Sequence, residues 1–93
     1  MNAARRAEAV MLLDVAMAGA ARAQLGAAEP VALAVHVIFL AACDATPAVH
    51  AQVTGGGRSV CFCQAAARDA AGTVVARAMA TFRRAEQARA LPA

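Results

Sequence analysis

The sequence predicts one α+β domain, in which a long helix packs on one face of an antiparallel sheet of about four strands. Residues 7–25 repeat apolar side chains with the period of a helix. Four later segments alternate, or are rich in β-branched residues, as strands are. Short turn sequences separate them, so that neighbouring strands run antiparallel. A helix followed by a run of strands is typical of the α+β class, and 93 residues allow a single domain, 1–93.

The predicted helix, about 7–25, carries an acid on its apolar side. At 100° per residue, Asp14 falls in the middle of that side. The apolar residues around it are Val10, Leu13, Met17, Ala21 and Leu25. An ionised carboxylate there is costly unless it has a partner, so Asp14 is a candidate for chemistry. Alternatively, Asp14 bonds a backbone N–H group or an arginine and only fixes the helix in place. Gly26 is expected to end the helix.

The first predicted strand, about 31–41, is the strongest in the chain. Both of its faces are apolar, which predicts a central strand covered on both sides. His36 interrupts one face, and such a histidine is expected to be a bonded core or interface residue more often than a catalyst.

Three further strands are predicted, at about 48–54, 59–68 and 73–83. The second strand alternates apolar residues with polar ones, which indicates one buried face. The three glycines at 55–57 predict a hairpin turn, and residues 69–72 predict another.

The composition bounds the possible partners. Hydrophobic residues make up 61% of the chain, but large ones are few, with no Trp or Tyr and three Phe. We expect a monomer to expose an apolar patch and therefore predict a homodimer or homotetramer. The longest apolar run, 31–42, is too short for a membrane span of about 20 residues. Asp14 interrupts the N-terminal apolar run, which argues against a signal peptide. We therefore expect no membrane partner.

Charge and cysteine content exclude further classes. The net charge is +3, and no aromatic residues interleave with the arginines, so no nucleic-acid partner is expected. A small basic interaction protein is a third interpretation that these features favour poorly. Three cysteines without a secretory signal indicate reduced thiols in the cytoplasm. The spacing of Cys43, Cys61 and Cys63 with His50 matches no common zinc site, so no metal is expected.

Several short motifs occur in a definite order. LLDVAMAGAA at 12–21 contains Leu-x-Asp-x-Ala, and VALAVHVIFLAA follows at 31–42. Residues 50–84 contain Gly-Arg-Ser after the hairpin, an Asp-x-x-Gly turn and an Ala-x-Ala-Thr-Phe-Arg ending. This order and spacing resemble the hotdog-fold thioesterase superfamily and, within it, the PaaI-like acyl-CoA thioesterases. The resemblance implies a helix on a curved antiparallel sheet, with the N-terminal part of the usual fold missing.

The resemblance also implies an activity. The protein would hydrolyse the thioester of a small or aromatic acyl-CoA at a subunit interface, because the helix faces the partner subunit in hotdog dimers. Asp14 would be the catalytic carboxylate, as general base or nucleophile. Gly56, Gly57, Arg58 and Ser59 match the loop near the CoA nucleotide, although a turn beside a solvated arginine is an equal alternative. Coenzyme A would enter as part of the substrate, with no other cofactor.

One departure from the family pattern concerns the helix start. The family opens the helix with His-Gly-Gly nine residues before the aspartate, where this chain has Arg5, Arg6 and Ala7. Those glycines let a thioester approach helix N–H groups that can stabilise an oxyanion. The alternative function is therefore a catalytically impaired hotdog subunit, which binds acyl-CoA or a protein partner without turnover.

Overall fold

The structure, a computed structural model, describes residues 1–26 and 29–84. The elements are α1 (Ala3–Leu25), β1 (Val31–Phe39), β2 (Ala48–Gly56), β3 (Val60–Arg68) and β4 (Val74–Arg83). The four strands form one sheet in the order β1-β4-β3-β2, and every neighbouring pair is antiparallel. This confirms the predicted fold class. Residues 85–93, which the predicted domain includes, lie outside the described part.

Helix α1 begins four residues earlier than predicted, because Asn2 caps it. The Asn2 Oδ1 atom accepts a hydrogen bond from the Arg5 backbone N–H at 2.9 Å. The helix ends where predicted: Gly26 has a left-handed φ of 64°, and its N–H donates to the Arg22 carbonyl at 3.0 Å. A left-handed residue just after a helix favours glycine. No helix in the described part of the chain is long and apolar enough to cross a membrane.

The core lies between α1 and one face of the sheet. The helix contributes the line of Leu13, Met17, Ala21 and Leu25, and all four are buried. From β3 and β4 come small residues and Phe82: Cys61, Cys63, Ala65, Ala67, Val75, Ala76, Ala78 and Ala80. The helix lies mainly over β2 and β3 and makes its fewest contacts with β1. Small side chains under the helix let it approach the sheet closely.

The prediction of a covered central strand is wrong for β1 in the single chain. Among the described strands it lies at the edge of the sheet, pairs with β4 alone, and exposes most of its side chains. The helix is offset toward β2 and β3, so β1 receives little cover from it. Apolar residues on both faces of a strand indicate that both faces become buried. They do not show that residues of the same chain cover them.

The meander of β2, β3 and β4 follows the predicted pattern. The half-buried alternation of β2 is confirmed, although the strand runs on to Gly56 and its turn therefore starts later. The turn between β3 and β4 is where predicted. There, the Asp69 carboxylate accepts hydrogen bonds from the N–H groups of Ala71 at 3.0 Å and Thr73 at 2.9 Å. Such side-chain bonds to following N–H groups favour aspartate at turns.

Candidate functional site

Asp14 lies at the border of the buried side of α1. It follows the fully buried Leu13 and is itself half-buried. Buried Met17 and exposed Met11 each lie three residues away, and thus about 60° to either side of it around the helix. The expectation that Asp14 occupies the middle of the buried side is therefore too strong. The border position lets a carboxylate keep contact with solvent beside an apolar surface.

The Asp14 carboxylate has no hydrogen bond or ion pair within residues 1–26 and 29–84. The ion pair seen there joins Arg5 Nη1 and Glu8 Oε1 at 2.8 Å, one turn nearer the helix start. The described structure thus gives no support to Asp14 as a residue that only ties the helix to a backbone group or an arginine. Its oxygen atoms can accept a proton or a hydrogen bond from a bound molecule.

The turn between β2 and β3 carries the second group of predicted site residues. Gly56 has a φ of 101°, and a Cβ atom on it would lie 2.4 Å from the Val60 carbonyl oxygen. Only glycine tolerates this position. The Gly57 N–H donates to the same carbonyl at 2.8 Å, which closes the turn. Arg58 and Ser59 are exposed at its tip.

This turn is held beside the end of α1. The Gln24 side-chain amide donates to the Gly57 carbonyl at 3.4 Å, and the Arg84 N–H donates to the Ser59 carbonyl at 3.0 Å. Hydrogen bonds therefore hold the backbone from which the Arg58 side chain extends. A guanidinium group placed in this way is suited to bind an anionic group such as phosphate. Gln24 was not singled out from the sequence, because its role depends on the tertiary approach of the turn.

Asp14 and this turn do not come together into one cluster. Ten residues of helix separate Asp14 from Gln24, which is about 15 Å along the axis. An extended molecule with a reactive group at one end and an anionic group at the other could span that distance.

Arg5, Arg6 and Ala7 lie inside α1 and not at a glycine-rich entry to it. The Arg5 N–H donates to the Asn2 side chain, and the Arg6 N–H donates to the Asn2 carbonyl at 3.0 Å. These two N–H groups are thus engaged by the helix cap. They do not form an open pair of donors for an oxyanion.

The remaining candidates lie on opposite sides of the sheet. Exposed His36 and His50 belong to the face turned away from α1, whereas Cys43, Cys61 and Cys63 are buried on the helix side. Among the described residues, no cluster of histidine, cysteine or acidic side chains could hold a metal ion. His36 does not lie in the core. In the register between β1 and β4 it lies opposite Met79, on the side of the sheet turned away from the helix that carries Asp14.

Burial shapes the chemistry of Cys63. Loss of solvent raises the pKa of its thiol to about 11, and the charge and hydrogen bond of the neighbouring Cys61 add to the effect. The Cys63 Sγ atom also lies 3.7 Å from the Met17 carbonyl oxygen, to which it donates. A thiol held protonated in this way is a poor nucleophile at neutral pH and serves the core.

No protein-family model and no curated protein sequence matches this chain. Solved structures do match it. A Bacillus halodurans protein determined with CoA is 20% identical with a TM-score of 0.72, over 80% of this chain and 54% of its own. Zebrafish thioesterase superfamily member 2 is 20% identical with a TM-score of 0.72, over 81% and 56%. An acyl-CoA hydrolase of Agrobacterium tumefaciens is 22% identical with a TM-score of 0.73, over 92% and 39%.

This sequence therefore spans little more than half of the first two structures and less of the third. Identities of this size show a shared fold. Together with the single helix laid across four antiparallel strands, they establish that the chain has the hotdog fold seen in structures of the thioesterase superfamily.

Proposed function

We propose that this protein is an acyl-CoA thioesterase, which cleaves small or aromatic acyl-CoA substrates at an interface between two copies of the chain. The observation that carries the proposal is Asp14, a half-buried carboxylate with no partner in the described structure. The fold supports it, since one structure with this fold was determined with CoA and another is an acyl-CoA hydrolase.

In the proposed reaction, Asp14 acts as a general base. Its carboxylate takes a proton from a water molecule, and the water oxygen attacks the thioester carbonyl carbon. The tetrahedral intermediate collapses when the carbon–sulfur bond breaks. Coenzyme A leaves as a thiolate and receives the proton, so the products are a carboxylic acid and the free thiol. Direct attack by Asp14, which would form an acyl anhydride that water then cleaves, uses the same residue.

The turn of Gly56, Gly57, Arg58 and Ser59 would hold the CoA phosphates. The Gly57 N–H is already bonded to Val60, so the contact falls on the exposed Arg58 guanidinium and the Ser59 hydroxyl. The extended pantetheine arm of CoA would then run along α1 toward Asp14. No metal and no cofactor beyond CoA itself enters this scheme.

The edge strand β1 would supply the interface. None of the described residues pairs with its outer backbone edge, and Leu33, Val35 and Phe39 expose apolar side chains. A second copy adding its own β1 to this edge would satisfy the backbone groups and cover these side chains. We therefore propose a homodimer or homotetramer. Three buried free thiols suit a reducing compartment, and we place the protein in the cytoplasm.

A second candidate function is a subunit that binds acyl-CoA or a protein partner without turnover. The helix start favours it, because the Arg5 and Arg6 N–H groups are engaged by Asn2. Removing one hydrogen-bond donor to the oxyanion typically lowers the rate of an enzyme by a factor of about 10²–10³.

The test measures thiol release from a panel of short, aromatic and long acyl-CoAs. Wild type is compared with Asp14→Asn, and Asp44→Asn is the matched control because Asp44 is exposed in the connection between β1 and β2. Turnover that Asp14→Asn alone loses supports the enzyme. CoA binding by calorimetry with no turnover on any substrate supports the second candidate. Neither binding nor turnover contradicts both.

A further inference from the structure

None of the described residues covers the sheet face turned away from α1, and we call this the open face. Its apolar members are Ile38, Phe62 and Met79, which are 48%, 48% and 51% exposed. Its exposed basic members are His36, His50, Arg68 and Arg77. The face spans all four strands, or roughly 20 Å across them and 30 Å along them, at strand spacings of about 4.8 Å and rises of about 3.4 Å per residue.

Strand register places these two groups side by side. Arg77 lies opposite Ile38 on one side and opposite Ala66 on the other, and Ala66 lies opposite His50. The next row along the strands contains Met79. A depression of about 180 Å³ is lined by His50, Arg68 and Arg77 together with Gln52 and Gln64. Basic groups and donors of hydrogen bonds thus border an apolar centre.

The described part of the open face carries no carboxylate. Glu8 and Asp14 belong to α1 on the other side of the sheet, and Asp44 lies in the connection before β2. Asp69 follows Arg68, but its Oδ1 atom is taken up by the turn to β4. Arg77 therefore has no acidic partner within the described part of the face, whereas Arg68 lines a depression together with Asp44 and Asp69, and its Nη1 atom donates to the Gly72 carbonyl at 3.2 Å.

We propose that the open face docks an acidic segment of another protein that carries apolar side chains between its carboxylates. Arg77 and Arg68 would pair with the carboxylates, and Phe62, Met79 and Ile38 would receive the apolar side chains. Arginine, methionine and phenylalanine are enriched in protein interfaces, and a face of this size suits a transient contact. Complementary charge would guide the encounter.

Two other occupants fit the face less well. A second copy laid face to face would bring arginines toward arginines with no carboxylate to pair them, which disfavours that arrangement. A single nucleic-acid strand would want several aromatic rings for stacking, and Phe62 is the aromatic residue that this face offers among the described residues.

The test uses a synthetic helical peptide with glutamates along one side and leucines at i and i+4, labelled for fluorescence anisotropy. The matched peptide replaces every glutamate with lysine. We expect the acidic peptide to bind and the basic one not to bind. Arg77→Glu should weaken the acidic peptide at least tenfold. Arg6→Glu changes the net charge equally but lies on α1, and it should leave the affinity unchanged. Circular dichroism confirms that both variants fold.

Several results would overturn the proposal. One is equal binding of both peptides, and another is an equal loss of affinity in Arg6→Glu, which would indicate net charge and not the face. Binding of an oligonucleotide or of phosphatidylserine vesicles that Arg77→Glu abolishes, without peptide binding, would assign the face to another class of partner. A change of oligomeric state in Met79→Asp, measured by sedimentation, would assign it to a second copy.

Discussion

The side-chain amide of Gln24 donates a hydrogen bond to the Gly57 carbonyl oxygen at 3.4 Å, and so joins the last turn of α1 to the turn between β2 and β3. Arg58, whose side chain is exposed, directly follows Gly57 in the chain. One end of the helix is therefore linked to the arginine proposed to meet the nucleotide, while Asp14 lies near its middle.

The proposed CoA contact predicts a change in substrate binding when Arg58 is truncated. Arg58→Ala should raise KM for an acyl-CoA about tenfold and leave kcat nearly unchanged, because the phosphate contact exists before and during the reaction. The control substrate is the same acyl group on N-acetylcysteamine, which lacks the nucleotide. Its kinetics should not change. A loss of kcat on both substrates would place Arg58 near the reacting carbonyl instead.

Gly56 and Gly57 should respond very differently to alanine. In Gly56→Ala the new Cβ atom would meet the Val60 carbonyl oxygen at 2.4 Å in a left-handed backbone, so we expect a loss of about 1–3 kcal/mol in the free energy of unfolding. In Gly57→Ala nothing lies within 4 Å of the new atom. Urea unfolding of both variants checks this, and equal effects would show that the turn rearranges freely.

The helix cap at Asn2 predicts a stability change outside the candidate site. Asn2→Ala removes the acceptor for the Arg5 N–H and should cost about 1 kcal/mol. For a chain of 93 residues that lowers the melting temperature by about 4–8 °C. Asn2→Asp keeps an acceptor and should melt near wild type. If both variants melt like wild type, the first turn contributes little to stability.

Cys63 predicts a loss of stability at alkaline pH. Burial raises the pKa of its thiol from 9.0 to about 11, so the thiol ionises at lower pH in the unfolded chain than in the folded one. Its contribution is complete below about pH 9 and falls as the pH rises toward about 11. The chain has no lysine and no tyrosine, so its cysteines are the side chains that ordinarily titrate in this window. Urea unfolding between pH 8 and pH 11 should show the decline, and Cys63→Ala should flatten it.

The edge of β1 predicts how the chain associates. Val35 is 42% exposed, and Val35→Lys would place an ammonium group where we propose that a second copy packs. The dissociation constant of the oligomer should rise at least tenfold, measured by sedimentation. Ala71→Lys in the exposed turn after β3 is the control and should associate like wild type. Unchanged association in Val35→Lys would move the interface elsewhere.

Local sequence patterns were sufficient for most of the fold. The end of α1 at Gly26 and the turn at Asp69 depend on contacts within a few residues, and both lie where predicted. The start of the helix was left open, since residues 1–6 could be a frayed lead-in or its first turn, and the structure shows the first turn, with Asn2 as the capping residue.

Predictions that depended on contacts between distant parts of the chain were less accurate. The two apolar faces of β1 suggested a central strand, but strand order is set by long-range pairing that no local pattern encodes. Asp14 was found from its position in an apolar helix, yet its half-buried setting depends on where the helix meets the sheet. Gln24 could be linked to Gly57 only from the structure, because the hydrogen bond joins residues far apart in the chain.

The strand order also bears on how the chain folds. Strands β2, β3 and β4 are joined by two short turns and form from local contacts, whereas Val31 of β1 must find Arg83 near the end of β4. Closing that long loop costs more entropy than closing either hairpin, so β1 docks late. Until it does, the edge of β4 is open to any extended segment, including β1 of another chain. Rapid association of newly made chains would therefore compete with intramolecular docking, and strand exchange between copies becomes the characteristic folding error of this topology.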